Sequence, residues 1–140
     1  MDKRGQVSVE YLLVVLILIV VLSVITIPLI GNSIDASNDV SDASDAKIAT
    51  DTLANAADVV YANGPGAKRT VSFFVPQTGN LSFVNSTVKM SLQYSNGTNS
   101  YINSSTQYNL GNKTTSVSSG WHTGSVFWTI GNSYITVSIT

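Results

Sequence analysis

The feature that most constrains this chain is an unbroken apolar run from Leu12 to Ile30, with a single carboxylate, Glu10, just ahead of it. Tyr11 to Ile30 is about 20 residues, or about 30 Å as a helix, the thickness of a bilayer's hydrocarbon core. Ser23 and Thr26 can return their hydroxyls to the backbone of the preceding turn, so both are tolerable in lipid. Pro28 has no amide hydrogen and its ring meets the carbonyl of Val24, which predicts a kink there. Lys3 and Arg4 precede the run. Positive residues stay on the cytoplasmic side, so everything after Ile30 is expected outside.

Glu10 is the only glutamate in the 140 residues, and three readings of its segment compete. A secretory signal peptide has a shorter apolar core followed by small residues, whereas Ile27-Pro28-Leu29-Ile30 is a poor cleavage site. A plain membrane anchor accounts for the length and the basic head but leaves Glu10 without a purpose. A charge deep in a bilayer costs roughly 2.5–3.5 kcal/mol, and less near the interface. In the third reading the chain is cut after Gly5, the basic head is lost and Gln6 becomes the new N-terminus. Glu10 then lies one helical turn from a fresh ammonium group. Buried among apolar helices, such a pair is favourable only when complete, so Glu10 would set the register between neighbouring copies. If Gln6 cyclises, Glu10 needs a hydroxyl, amide or backbone donor instead.

The stretch Lys3-Arg4-Gly5-Gln6-Val7-Ser8-Val9-Glu10-Tyr11-Leu12 resembles the class III signal peptide of archaeal type IV pilins, especially those of methanogens. The resemblance implies cleavage by a prepilin peptidase between Gly5 and Gln6, with Glu10 as the assembly residue. It also implies an assembly ATPase and a membrane platform protein as partners, and other copies of the chain as neighbours in a helical homopolymer. The resemblance covers about the first 30 residues. The Glu-Tyr pair is similar to that of bacterial Flp/Tad pilins, which lack a large C-terminal domain.

Beyond the apolar run, Gly31 and Asn32 could end the helix, and Asn32 or Ser33 could cap a new one. From there to Tyr61 the residues Ala36, Val40, Ala43, Thr50, Leu53, Ala57 and Val60 recur at helical spacing, giving a narrow stripe of small apolar side chains. Asp35, Asp39, Asp42 and Asp45 fit the start of such a helix, where negative charge is favourable. Their spacing is not that of a calcium loop, and they read as a solvated face. Asn63-Gly64-Pro65-Gly66 is a helix stop.

From Lys68 onward serine, threonine and asparagine dominate. Residues 71–75, 81–84, 88–94, 125–130 and 134–139 alternate as strands do. Asn96-Gly97, Gly111-Asn112 and Gly131-Asn132 are turn signals, the last joining the final two strands. The expected fold class is therefore α+β: a long hydrophobic N-terminal helix followed by a small antiparallel sheet or sandwich of about six or seven strands, with one face wet or sugar-covered. The expected division is a cleaved leader at 1–5, an apolar membrane or filament-core helix at 6–30, and a helix continuation on the head at 31–62. A linker turn at 63–68 and a β-rich extracellular head at 69–140 complete it. Five Asn-x-Ser/Thr sequons, at Asn80, Asn85, Asn96, Asn103 and Asn112, all fall in the segment expected outside. They are candidates for N-glycosylation by an oligosaccharyltransferase.

The remaining chemistry is sparse. The formal charge of −1 and the scattered lysines and arginines give no basic field for nucleic acid. There is no cysteine, hence no disulfide and no thiolate site. A lone His122, placed in a loop, builds no metal cluster, and no acid–base pair or phosphate-cradling loop is visible. No cofactor, no metal and no enzyme are expected. Trp121, Trp128 and the tyrosines read as core aromatics or as a sugar-stacking patch. The favoured expectation is a structural pilin of an adhesion pilus, held in the cytoplasmic membrane as a precursor and extracellular in its mature form. The alternatives are an uncleaved bitopic surface protein whose β domain binds sugars or another protein, and a minor or pseudopilin-like component.

Overall fold

The computed structural model describes residues 3–140, with side chains from Ser8 onward. Met1 and Asp2 of the expected leader lie outside the described residues. One helix, α1 (Lys3–Asn63), is followed by seven strands: β1 (Lys68–Val75), β2 (Gly79–Val84), β3 (Thr87–Gln93), β4 (Asn99–Ser105), β5 (Lys113–Val117), β6 (Gly120–Phe127) and β7 (Thr136–Ile139). The chain divides into two compact units, one ending at Asn38 and the other running from Asp39 to Thr140.

In the first unit the helix does not stop at Gly31-Asn32. Both residues are helical, and Ser33 Oγ donates to the Leu29 carbonyl at 2.9 Å rather than capping a new helix. Ser23 Oγ does the same to the Ile19 carbonyl at 2.8 Å. Back-bonded hydroxyls satisfy their own hydrogen in the preceding turn and leave the helix intact. The aspartates from Asp35 to Asp45 therefore lie inside α1, and the expected role at a helix N-terminus falls away.

The second unit is a helix laid on two antiparallel sheets. One sheet has the order β1-β6-β7 and the other β4-β3-β2-β5. Alternation explains β1 to β3, where Phe73, Val75, Leu81, Phe83, Val88, Met90 and Leu92 point inward and are buried. The helix contributes Ala46, Ala49, Leu53, Ala54, Ala56, Ala57 and Val60 to the same core. Alanines on the buried face let the helix backbone come close to the strands. Val40, expected on that face, is instead 71% exposed. Helix α1 ends where Gly64, at φ 84°, donates its amide back to the carbonyls of Val60 and Tyr61, both at 3.1 Å. That left-handed residue is open to glycine without a Cβ penalty, and Pro65 bars a further turn.

Three details of the sheets differ from the sequence reading. Strand β6 begins at Gly120, five residues before the expected start, and Trp128-Thr129-Ile130 leave the sheet. His122 accordingly sits in β6 opposite Phe73, not in a loop. The link from β6 to β7 is an eight-residue loop, 128–135, rather than a tight turn. The hairpin at Asn96-Gly97 is tight: Tyr94 N donates to Thr98 O at 2.9 Å, Gly97 N to Tyr94 O at 2.8 Å, and Thr98 N to Asn96 Oδ1 at 2.8 Å.

Candidate functional site

Two regions carry the candidate residues, and each is built differently. The first is the apolar face of α1. Every described side chain from Ser8 to Ile30 is exposed, and the helix from Ser8 is long and apolar enough to cross a membrane. Within it Leu12, Val14, Leu16, Leu18 and Val20 all stand more than half exposed. Such a surface is stable only when lipid or other protein covers it, because each buried methylene contributes about 0.8 kcal/mol on leaving water. Glu10 is exposed at the near end of this surface, about one turn after Gln6. Gly5 and Gln6 belong to the α1 backbone, and their side chains lie outside the described residues. Pro28 stands inside α1, beside a shallow hollow of about 400 Å³ lined by Ile19, Val20, Ser23, Val24 and Ile27.

The second region is the head. Two of the four aspartates read as a solvated face, Asp39 and Asp42, tie α1 to the head, and Asp58, outside that set, does the same. Asp39 accepts from Ser95 N at 2.9 Å and from Ser95 Oγ at 2.8 Å, seizing the β3–β4 hairpin. Asp42 accepts from Gln77 Nε2 at 3.3 Å, beside the β1–β2 loop. Asp58 accepts from the backbone amide of Gln107 at 2.7 Å. A carboxylate on a backbone amide is a charge-assisted bond, stronger than a neutral one. Spacing along the helix could not reveal these roles, because the partners are distant in sequence.

Between these ties lies a polar cluster on β4. Lys47 Nζ donates to Asp51 Oδ1 at 2.8 Å, to Ser104 Oγ at 2.9 Å and to the Asn103 carbonyl at 3.1 Å. Ser104 Oγ lies 2.6 Å from Asp51 Oδ1 and 2.9 Å from Thr50 Oγ1. Ser104 and Thr50 are buried, and their polar atoms are satisfied within the cluster, as burial requires. Hydrogen bonds from Lys47 and then Ser104 hold the Asp51 carboxyl below its ordinary value of 3.8. At the far end of the helix Tyr61 stacks on Tyr108, ring centres 4.9 Å apart, and Tyr108 packs on Trp128 at 4.8 Å.

The five sequon asparagines are all exposed. Asn80 lies in β2 and Asn103 in β4, whereas Asn85, Asn96 and Asn112 lie in turns or loops. Asn85 takes a left-handed φ of 52°, and its amide donates to Asn112 Oδ1 at 3.0 Å. Those two line one cleft of about 560 Å³ with Lys113 and Tyr134.

Residues 3–29 match the family model described as the class III signal peptide. With the long apolar helix and the two small antiparallel sheets, that segment supports a type IV pilin-like architecture. A class III signal peptide implies processing by a prepilin peptidase and entry into pilus assembly. No curated protein and no solved structure gave a significant match to the chain.

Proposed function

We propose that this chain is a non-enzymatic structural subunit of an archaeal-type adhesion pilus. The precursor is held in the cytoplasmic membrane by the run from Leu12 to Ile30, with its head outside. A prepilin peptidase cuts between Gly5 and Gln6, and an assembly ATPase with its platform protein lifts the shortened chain into the filament. The apolar helices then exchange lipid for one another, and the heads, sugar-bearing at their sequons, face outward. Glu10 sets the register by pairing with the new N-terminus of a neighbour. Pro28 leaves the Val24 carbonyl without a helical donor and bends the rod where copies pass one another.

The observation that carries this reading is the coincidence of the class III segment, 3–29, with a helix surface exposed along its whole described apolar length. The cut removes Lys3 and Arg4, the charges that hold the N-terminus on the cytoplasmic side, and so frees the helix to leave the bilayer. The test is N-terminal peptide mass on surface material sheared from cells and imaged by electron microscopy. Filaments whose subunit begins at Gln6 are expected. A chain still beginning at Met1, with no filament, would refute the reading.

A further inference from the structure

The outer face of the four-stranded sheet carries an aromatic ring that the fold does not use. Tyr101 in β4 is 68% exposed and is the one aromatic residue on that face, since Phe83 of β2 points into the core. Its neighbours are fixed by register. Asn103 lies two residues along the same strand, hence on the same face about 7 Å away. Lys89 of β3 is directly opposite Asn103, and Ser91 is directly opposite Tyr101. Residues opposite one another in antiparallel strands share a face. Lys89, Tyr101 and Asn103 line a shallow groove of about 270 Å³.

Asn103 heads the sequon Asn103-Ser104-Ser105. Ser104 is buried in the Lys47 cluster, and the Asn103 carbonyl accepts from Lys47. The backbone at the attachment point is thus pinned, and the Asn103 side chain is held on the outer face. We propose that an N-linked sugar on Asn103 lies back along β4 and seats the C–H face of its first ring on Tyr101, with the Lys89 ammonium beside its hydroxyls. This rests on the reading of the chain as an exported, N-glycosylated subunit and assigns the sugar a place. The aromatic face is negative, and the C–H bonds of a pyranose present a weakly positive surface to it. Lysine offers three donors and no acceptor, which suits hydroxyl oxygens. Tethering through Asn103 keeps the ring at high local concentration, so a contact too weak to capture a free sugar is populated. The glycan thereby covers Tyr101 and becomes part of the head's packing.

The test uses the full-length chain purified in detergent from the glycosylating host, in six forms: unaltered, Tyr101→Ser, Asn103→Gln, Asn80→Gln, and Tyr101→Ser combined with each of the two asparagine changes in turn. Peptide mass gives the occupancy of Asn103, and circular dichroism gives Tm. Tyr101→Ser should lower Tm by about 4–8 °C where Asn103 carries sugar, and by nothing resolvable in the Asn103→Gln background. An equal loss in both backgrounds would overturn the proposal. So would a loss that disappears only when Asn80→Gln is introduced, because Asn80 is the other sequon on this face. Unmodified Asn103 in every copy would also overturn it. The N-terminal mass in the same digest reports separately whether the leader was cut, so failure of the sugar contact is distinguishable from failure of the pilin reading.

Discussion

Leu53 of α1 and Gly124 of β6 approach so closely that a Cβ built on Gly124 would lie 2.7 Å from Leu53 Cδ2. The same carbon would stand 3.3 Å from Phe73 Cε1 of β1, so Leu53 is seated on the three-stranded sheet through the gap that the glycine leaves. Gly124 is buried and has an ordinary backbone. Its requirement is space and not conformation.

Gly124→Ala should therefore destabilise the head by about 1–3 kcal/mol, the usual range for overpacking a core. Leu53→Ala alone should cost about 2–5 kcal/mol by leaving a cavity. The double variant should fall well short of the sum, since the shortened side chain makes room for the new methyl. Urea unfolding of the three variants measures the coupling. Strict additivity would show that Leu53 does not occupy the space above Gly124.

The same contact illustrates what the sequence makes legible. Strands β1 to β3 could be read because alternate positions hold Phe, Val, Leu and Met, and burial follows that alternation. Strands β4 and β5 could not. Their inward positions are filled by Ile102, Ser104, Thr115 and Val117, too polar a set to stand out in a serine-rich chain. The start of β6 is obscured by Gly120 and Gly124, because glycine weakens a strand pattern, although Gly124 leaves the space in which Leu53 comes close. Asp39 illustrates a third kind of difficulty: its partner, Ser95, is 56 residues away, and no local pattern encodes a bond of that range. The N-terminal segment, matched by the class III signal-peptide model at 3–29, is legible because Lys3-Arg4, Gly5, Glu10 and the apolar run follow closely along the chain. Its chemistry is local.

Acid should weaken the grip of α1 on β4. The Lys47 and Ser104 hydrogen bonds depress the Asp51 carboxyl below 3.8, so the folded state prefers the charged form. That contribution is fully present above the ordinary carboxylate range and is lost as pH falls through the folded value, below 3.8. Its size is below about 1 kcal/mol, because the Asp51 side chain is 45% exposed and solvent screens the pair. Asp51→Asn should flatten the fall in stability over this acid window while changing little at neutral pH beyond the lost ion pair. Tm followed against pH for both proteins gives the comparison, and parallel curves would remove Asp51 from the account.

Cleavage is expected to depend on the small residue before the cut. Gly5→Val puts a β-branched side chain at the proposed scissile bond, where glycine would leave the backbone open to a protease cleft. Processing should fall to undetectable levels, and the uncut chain, still carrying Lys3 and Arg4, should accumulate in the membrane. Immunoblotting separates the two lengths. Mature-length product from Gly5→Val would place the cut elsewhere.

Glu10→Ala separates processing from assembly. Glu10 lies beyond the proposed cut, at the edge of the apolar run, so leader removal should proceed at the normal rate. In a filament core the new ammonium of one copy would then face no carboxylate, and an unpaired buried charge is strongly disfavoured. Each 1.4 kcal/mol of lost cohesion per contact lowers the association constant about tenfold. Filament yield should drop by about that factor or more, with mature subunit left in the membrane. Glu10→Gln keeps the shape and the acceptor oxygen but not the charge, so it discriminates between partners. It should assemble as poorly as Glu10→Ala if Glu10 meets an ammonium, and far better if Gln6 has cyclised and a neutral donor takes its place. Sheared-filament yield, normalised to membrane-bound mature chain, reads the result. Wild-type yield from Glu10→Ala would end the register role.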